Sequence, residues 1–394
     1  MKKWTIALLA GAAVVGVGGL ALAQQGYVPP PKVSMTAQAQ PIPFELFRGN
    51  RVVITSTLNG HRAETILDTG AGVTTVDRTF ARSIGLPVGQ KITAQGAGGA
   101  VEAELVSDVT LEISGMRFEK MTVAVMDLGP VARGIGHPMN VVLGREFFNS
   151  AVISIDWAAS QLRVRPHSAF APGSAATALE LKRRGPFNTI PISIAGGEPI
   201  EALLDLGNGG ALSIPRSYWG KRADLSALRY AEGRRGGVGG LHPARNATIP
   251  QVALAGKTFA NVPATMSEGG NDHEPQLMTN VGIGLLKQFH VDLDLGRDRI
   301  YLAPLANPPE FERDRSGARA DLHGDRLKVA FVSPQGPAAA AGLKAGDEIV
   351  AVDGRRITPD FYQAADWARG APGSKVRLER ADGTTVTVTL QDYY

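Results

Sequence analysis

Ile66-Leu67-Asp68-Thr69-Gly70-Ala71 and Leu203-Leu204-Asp205-Leu206-Gly207-Asn208 share one pattern, an apolar run, then an aspartate, then a glycine-containing turn. An aspartate directly after buried strand residues is a costly placement unless its carboxylate is hydrogen-bonded or put to use. The pattern occurs twice because the surrounding sequence does. Gly144-Arg-Glu-Phe-Phe-Asn-Ser-Ala-Val-Ile-Ser-Ile-Asp156 aligns without gaps on Gly282-Ile-Gly-Leu-Leu-Lys-Gln-Phe-His-Val-Asp-Leu-Asp294, an offset of 138 residues that continues through Leu162–Pro166 and Ile300–Pro304. Upstream, Glu64–Asp68 matches Glu201–Asp205 at an offset of 137, and one extra residue after Asp205 restores 138. Residues 41–305 are therefore two copies of one unit.

Each unit reads as mainly β. In the first, 52–58, 64–67, 101–106, 109–113, 121–126 and 153–164 are short, β-branched or alternating, and bounded by Gly, Asn, Asp or Pro. Short helices are expected over 78–84 and 145–150, with copies over 216–221 and 285–289. A duplicated fold with one such aspartate per copy implies a pseudo-twofold axis that brings the two carboxylates together. Two carboxylates about 3 Å apart cannot both ionise and share a proton. One can then act as base on a water while the other donates to a carbonyl oxygen, which amounts to peptide hydrolysis without a covalent intermediate. The glycines allow a tight turn and offer N–H groups to the carboxylates.

Asp68-Thr-Gly-Ala, followed by Val141-Val-Leu-Gly144-Arg and a short helix, resembles the retropepsin-type aspartic peptidases, and the duplication resembles a two-repeat, single-chain bacterial member. The resemblance implies two closed β-barrel lobes, at 41–167 and 179–305 with a linker at 168–178, and a catalytic dyad of Asp68 and Asp205. It places Thr69, Gly70, Ala71, Gly207 and Asn208 in support of the dyad, with Gly144 and Gly282 closing a psi-shaped turn beneath it. It also implies a flap over substrate, for which Gly96, Gly98 and Gly99 in one unit and Gly236, Gly237 and Gly239 in the other are the glycine-rich candidates. One departure stands out. In the family a Thr or Ser follows each aspartate and hydrogen-bonds across the dyad; Thr69 can do this and Leu206 cannot, leaving Ser213 or Asn208 as stand-ins.

After a connector at 306–316, the run Pro337-Ala-Ala-Ala-Ala-Gly-Leu-Lys-Ala-Gly346-Asp347-Glu-Ile-Val-Ala-Val-Asp-Gly354 puts proline in the first turn of a short helix, glycine at its exit, and turns on either side of a strand. It is similar to bacterial PDZ domains, over residues 317–394, with a second helix over 360–369 and a closing hairpin of 375–380 with 384–390. PDZ domains add a peptide strand to a sheet edge and hold a C-terminal carboxylate on backbone N–H groups. Gly317, Leu322, Leu327 and Val329 are the expected peptide-binding residues.

Composition narrows the alternatives. With 41 Lys and Arg against 37 Asp and Glu and only short basic spots, nucleic acid is not an expected partner. The absence of cysteine excludes disulfides, a thiol nucleophile and thiolate zinc sites, and the seven histidines show no H-x-x-x-H spacing, so neither metal nor cofactor is expected. Lys2 and Lys3, the apolar stretch 6–20 and Ala21-Leu22-Ala23 have the layout of a secretory signal peptide over 1–23, with 24–40 as an extended leader. The expected location is the periplasm or cell envelope, with membrane contact only through an uncleaved signal segment. The sequence thus reads as a mainly β, exported aspartic endopeptidase acting on protein or peptide substrates, its PDZ domain taking a ligand peptide. The rival reading is a weak or inactive envelope peptide-binding protein that retains the cleft and the PDZ groove.

Overall fold

A computed structural model describes residues 30–35, 41–269, 278–364 and 366–394. The expected signal peptide, and all of the leader except 30–35, lie outside the described residues. The chain is mainly β, with 50% strand and 13% helix.

In the first repeat, Arg51–Leu58 pairs antiparallel with His61–Leu67, which runs parallel to Val141–Leu143. Val141–Leu143 pairs with Thr75–Asp77, which runs parallel to Met116–Met126. Met116–Met126 pairs with Gly99–Ile113, and that long strand returns to Arg51–Leu58. The two stretches expected at 101–106 and 109–113 are this one strand, interrupted by a register shift at Asp108, whose φ is 64°. The second repeat closes the same circuit through Phe187–Ile194, Ile200–Leu204, Asn280–Val281, Leu212–Ile214, Lys257–Ser267 and Gly240–Leu254.

The repeats meet in a six-stranded sheet made by both. Here Ile153 faces Leu293, Ser154 faces Asp292 and Ile155 faces Val291. Ser154 and Asp292 occupy equivalent positions of the two copies, so a local twofold axis passes between them, and it relates the aspartate loops as well. The strand Thr177–Glu180 begins inside the expected linker and pairs with Arg299–Pro304 on the edge of this sheet. Apolar side chains of both repeats, including Leu67, Phe147, Leu204, Leu206 and Phe289, form one continuous core.

Helices form at Arg78–Ser83, capped by the Asp77 carboxylate on the N–H groups of Thr79 and Phe80, and at Arg145–Ser150. Their copies are shorter, Arg216–Trp219 and Ile283–Leu286; the latter starts two residues before the expected 285 because Gly282 is its N-cap. A helix not expected from the sequence spans Gly129–Ile135, with Pro130 in its first turn and Gly136 ending it at φ 83°.

The C-terminal region forms a separate sheet of Ala318–His323, Arg326–Val332, Glu348–Val352, Arg355–Arg356, Lys375–Arg380 and Thr385–Thr389, with helices at Pro337–Ala340 and Phe361–Ala364. Its core residues Leu322, Leu327, Ile349 and Leu378 are contiguous with apolar residues of the first repeat, among them Leu128 and Val131.

Candidate active site

Each aspartate leaves its strand the same way. The Asp68 N–H donates to Leu143 O at 3.1 Å and the Asp205 N–H to Val281 O at 3.0 Å, so the parallel pairing beside each strand sets the height of each carboxylate. Beneath the loops there is no room for a side chain. A Cβ on Gly144 would lie 2.9 Å from Ala71 O, and one on Gly282 would lie 2.2 Å from Gly210 O.

The structure brings the two loops together. Both carboxyl groups are fully buried and within hydrogen-bonding reach of each other. Each glycine after an aspartate lies against the opposite carboxyl: a Cβ on Gly70 would be 2.9 Å from Asp205 Cγ, and one on Gly207 would be 2.3 Å from Asp68 Cγ. Only glycine permits that approach.

The two carboxyls have different partners. Asp68 Oδ1 accepts from the Gly70 N–H at 2.8 Å, and Asp68 Oδ2 is buried with no donor among the described residues. Asp205 Oδ1 accepts from Gly207 N at 2.8 Å and Asn208 N at 3.2 Å, while its Oδ2 accepts from Asn280 Nδ2 at 2.6 Å. Burial first, then the Asp205 charge, pushes the Asp68 carboxyl well above the ordinary carboxylate range. Burial also raises Asp205, against the hydrogen bonds from Asn280, Gly207 and Asn208 that favour its ionised form. Asp205 thus has three donors on its oxygens and Asp68 one.

Thr69 braces the site across the repeats. Its hydroxyl donates to Leu204 O at 2.8 Å and accepts from the Leu206 N–H at 2.9 Å. Leu206 returns no such bond, because its side chain is fully buried in the apolar core. Neither expected stand-in crosses the interface. Asn208 Nδ2 instead donates to Asn280 Oδ1 at 2.8 Å and to Ser213 Oγ at 3.3 Å, within the second repeat. In the first repeat Glu146 accepts from Thr74 N and Thr74 Oγ1 at 3.1 and 3.0 Å, and burial pushes its carboxyl up.

Three residues of the site were not singled out from the sequence: Asn280, Glu146 and Arg51. Arg51 opens the strand Arg51–Leu58, and its charge acts on both aspartates. Desolvation, then repulsion from Arg369, lowers its guanidinium to about 10, so it is still a cation at neutral pH. Asp205, Asn208, Asn280 and Arg51 line a cavity of about 500 Å³. Among the described residues no group of three or more His, Cys, Asp or Glu side chains is placed to hold a metal ion.

The glycine-rich segments lie at the tips of two hairpins, Gln90–Gly96 with Gly99–Ile113 and Tyr230–Gly237 with Gly240–Leu254. The tips touch: Gly98 N donates to Val238 O at 2.7 Å, and His242 Nε2 lies 2.7 Å from Gly98 O. Gly96, Gly98 and Gly239 are packed so closely that a Cβ on any of them would lie within 2.5 Å of the other hairpin's backbone. Ala97, Gly236 and Gly237 line the same cavity as Asp205.

The C-terminal sheet requires corrections. Leu327 and Val329 face the core and are buried, and Arg326–Val332 is paired on both sides, so the open edge beside it is that of Ala318–His323. Leu322 is on that edge strand but also points into the core. Gly317 does lie in the loop before the edge strand, at φ 72°. The donors of that loop are already used: Asp314 accepts from Ser316 N at 2.9 Å, Gly317 N at 3.1 Å and Tyr393 Oη at 2.8 Å. The helix Gly129–Ile135 packs on the edge strand, with Gly134 against the Arg319 guanidinium and Gly136 against the Tyr362 ring. Arg48 secures the contact, lying 3.9 Å from the Tyr362 ring centre, pairing with Asp366 at 2.9 Å and donating to Ile135 O at 3.0 Å.

Residues 54–147 match a family model described as aspartyl protease, and residues 328–380 match one described as PDZ domain. The first span contains Asp68, Thr69 and Gly144, and it supports a peptidase-like hydrolase. The second repeat is tied to it by the 138-residue offset and by the identical strand circuit.

Proposed function

We propose that the chain is an exported aspartic endopeptidase whose dyad is Asp68 and Asp205. The observation that carries this reading is the pair of buried carboxyls, one from each repeat, within hydrogen-bonding reach and with donors enough to hold only one of them ionised. Asp205, with three donors on its oxygens, takes a proton from a water molecule between the carboxyls. Asp68 gives its proton to the carbonyl oxygen of the peptide bond as the water oxygen bonds to the carbonyl carbon. Collapse of the resulting gem-diol breaks the C–N bond, with the proton gained by Asp205 delivered to the leaving nitrogen and Asp68 regaining one from a gem-diol hydroxyl. Exclusion of all but the reacting water from the closed site strengthens each of these interactions. Arg51, cationic at neutral pH, adds to the stabilisation of the single negative charge on the dyad.

The touching hairpin tips form the flap over the cleft and part to admit an extended peptide. The PDZ domain binds peptide or protein segments, and in the arrangement described its edge strand is covered by 129–135, so a ligand strand enters only when that contact is released. Export rests on the layout of residues 1–23, and is tested by mass spectrometry of the N-terminus of protein recovered from the envelope fraction. A new terminus near Gln24 agrees with it, and a retained Met1 in the cytoplasmic fraction contradicts it.

The enzyme reading is tested with a mixed peptide library from acidic to neutral pH, with and without a statine-type transition-state analogue. Cleavage blocked by the analogue and absent from Asp68→Asn is expected. The rival, an envelope protein that binds peptides without cutting them, is favoured by Leu206, which leaves half of the cross-brace missing; it predicts peptide binding by both proteins and no new termini in either digest.

A further inference from the structure

We propose that Asn280 is a positioning residue that assigns the base of the dyad, its amide holding Asp205 as the carboxylate so that Asp68 carries the proton. This rests on the peptidase reading above and adds the device that makes two repeated aspartates unequal.

The polarity of the amide follows from a backbone group. The Gly210 N–H can only donate, and it donates to Asn208 Oδ1 at 3.0 Å. The Asn208 amide is thereby oriented with Nδ2 toward Asn280 Oδ1, at 2.8 Å, and Ser213 Oγ at 3.3 Å accepts from the same group. Asn280 Oδ1 is thus used as an acceptor, which leaves Nδ2 to face Asp205 Oδ2 at 2.6 Å. Each step is set by the one before it, so the end of the relay presents N–H to the carboxyl and no acceptor. A donor at that distance on an otherwise buried oxygen favours the charged form.

The first repeat has no such relay. The position equivalent to Asn280 is Val142, in the fully buried strand Val141–Leu143, and the position equivalent to Asn208 is Ala71. A buried asparagine where the first repeat has a buried valine is a cost without a partner, and here both ends of its amide are satisfied. The charged groups facing Asp205 are Asp68, from the opposite loop, and Arg51, from the strand Arg51–Leu58. Arg51 acts on both aspartates and so does little to tell them apart, whereas Asn280 touches only one.

The test compares unmodified protein with Asn280→Val, which installs the residue of the first repeat, and Asn208→Ala, which keeps Asn280 but frees its amide to turn. Two quantities are read: the acidic limb of kcat/KM on a cleaved peptide, and the titration midpoint of the Asp205 carboxyl by carbon-13 NMR, assigned with Asp205→Asn. Loss of a charge-assisted hydrogen bond raises the midpoint by about one pH unit, and the acidic limb moves up with it. Asn208→Ala shifts both in the same direction by less. An unchanged midpoint and limb in Asn280→Val overturn the proposal, and Asn208→Ala decides in the same way if Asn280→Val does not fold. If no peptide is cut, the peptidase reading fails, yet the NMR midpoint still rises or does not, so the two failures are distinguishable.

Discussion

Asp68 and Asp205 occupy equivalent places in two copies of one unit, and the turns that carry them are stabilised by different means. In the first copy the loop is held from below by Glu146 on Thr74, and the Thr69 hydroxyl reaches across to Leu204 and Leu206. In the second copy nothing reaches back, since Leu206 is part of the core, and polar contacts concentrate instead on the carboxyl itself through Gly207, Asn208 and Asn280. The lesson is a division of labour: the first loop supplies the bond between repeats, and the second supplies the environment of one negative charge. A strictly symmetric pair would offer the two carboxyls equal donors; this one offers three to Asp205 and one to Asp68.

Both carboxyls are needed if one is acid and the other base, so Asp68→Asn and Asp205→Asn should each lower kcat/KM by about 10²–10⁴-fold. Steady-state cleavage assays would show it, and a variant of either that keeps most of its activity would break the comparison at its root. Next in size is Thr69→Val. It leaves Leu204 O and the Leu206 N–H buried without partners, at about 1–3 kcal/mol each, measured by urea unfolding. Leu206→Thr restores formal symmetry and is nevertheless expected to destabilise by about 1–3 kcal/mol, because it removes buried methyl groups and places a hydroxyl in the apolar core. A more stable Leu206→Thr protein would show that the second half of the brace is available after all.

A pH effect follows from the raised Asp68 carboxyl. A carboxyl whose folded-state value lies above its unfolded value of 3.8 binds more protons in the native state over the interval between the two. Its contribution is thus most favourable below the unfolded value, and stability falls as pH rises through that interval toward the folded value. Asp68→Asn should flatten this fall and be the more stable protein at neutral pH, as thermal unfolding at acidic and neutral pH would reveal. The smallest effect expected is from Gly98→Ala. Its Cβ would lie 2.3 Å from Gly240 N, so the hairpin tips must part, and KM should change more than kcat.

What the sequence made legible was whatever recurred or followed local chemistry. The two Asp-x-Gly turns, the glycines beneath them and the helix at 145–150 all stand at fixed places in the repeat. Asn280 could be missed because alignment conceals it: the repeat pairs it with Val142, and it is the mismatch, a polar residue where the first copy has valine, that carries the signal. The helix Gly129–Ile135 was announced by Pro130 and Gly136, yet its role is to pack on a strand nearly 190 residues away, which no local pattern conveys. Leu327 and Val329 show a related limit. Alternation in Arg326–Val332 identifies them as inward-facing, but which strand forms the open edge is a property of the whole sheet. Likewise, Asp314, which takes up the Gly317 N–H, is also met by Tyr393 from the far end of the domain.

The most direct test of the shared dyad is digestion of one peptide substrate in ¹⁸O-labelled water by the unmodified protein and by Asp205→Asn, followed by mass spectrometry of the products. The account predicts new carboxyl termini carrying label from the solvent with the unmodified protein, and intact peptide with Asp205→Asn. Cleavage that persists in Asp205→Asn, or intact peptide with both proteins across acidic to neutral pH, would contradict it.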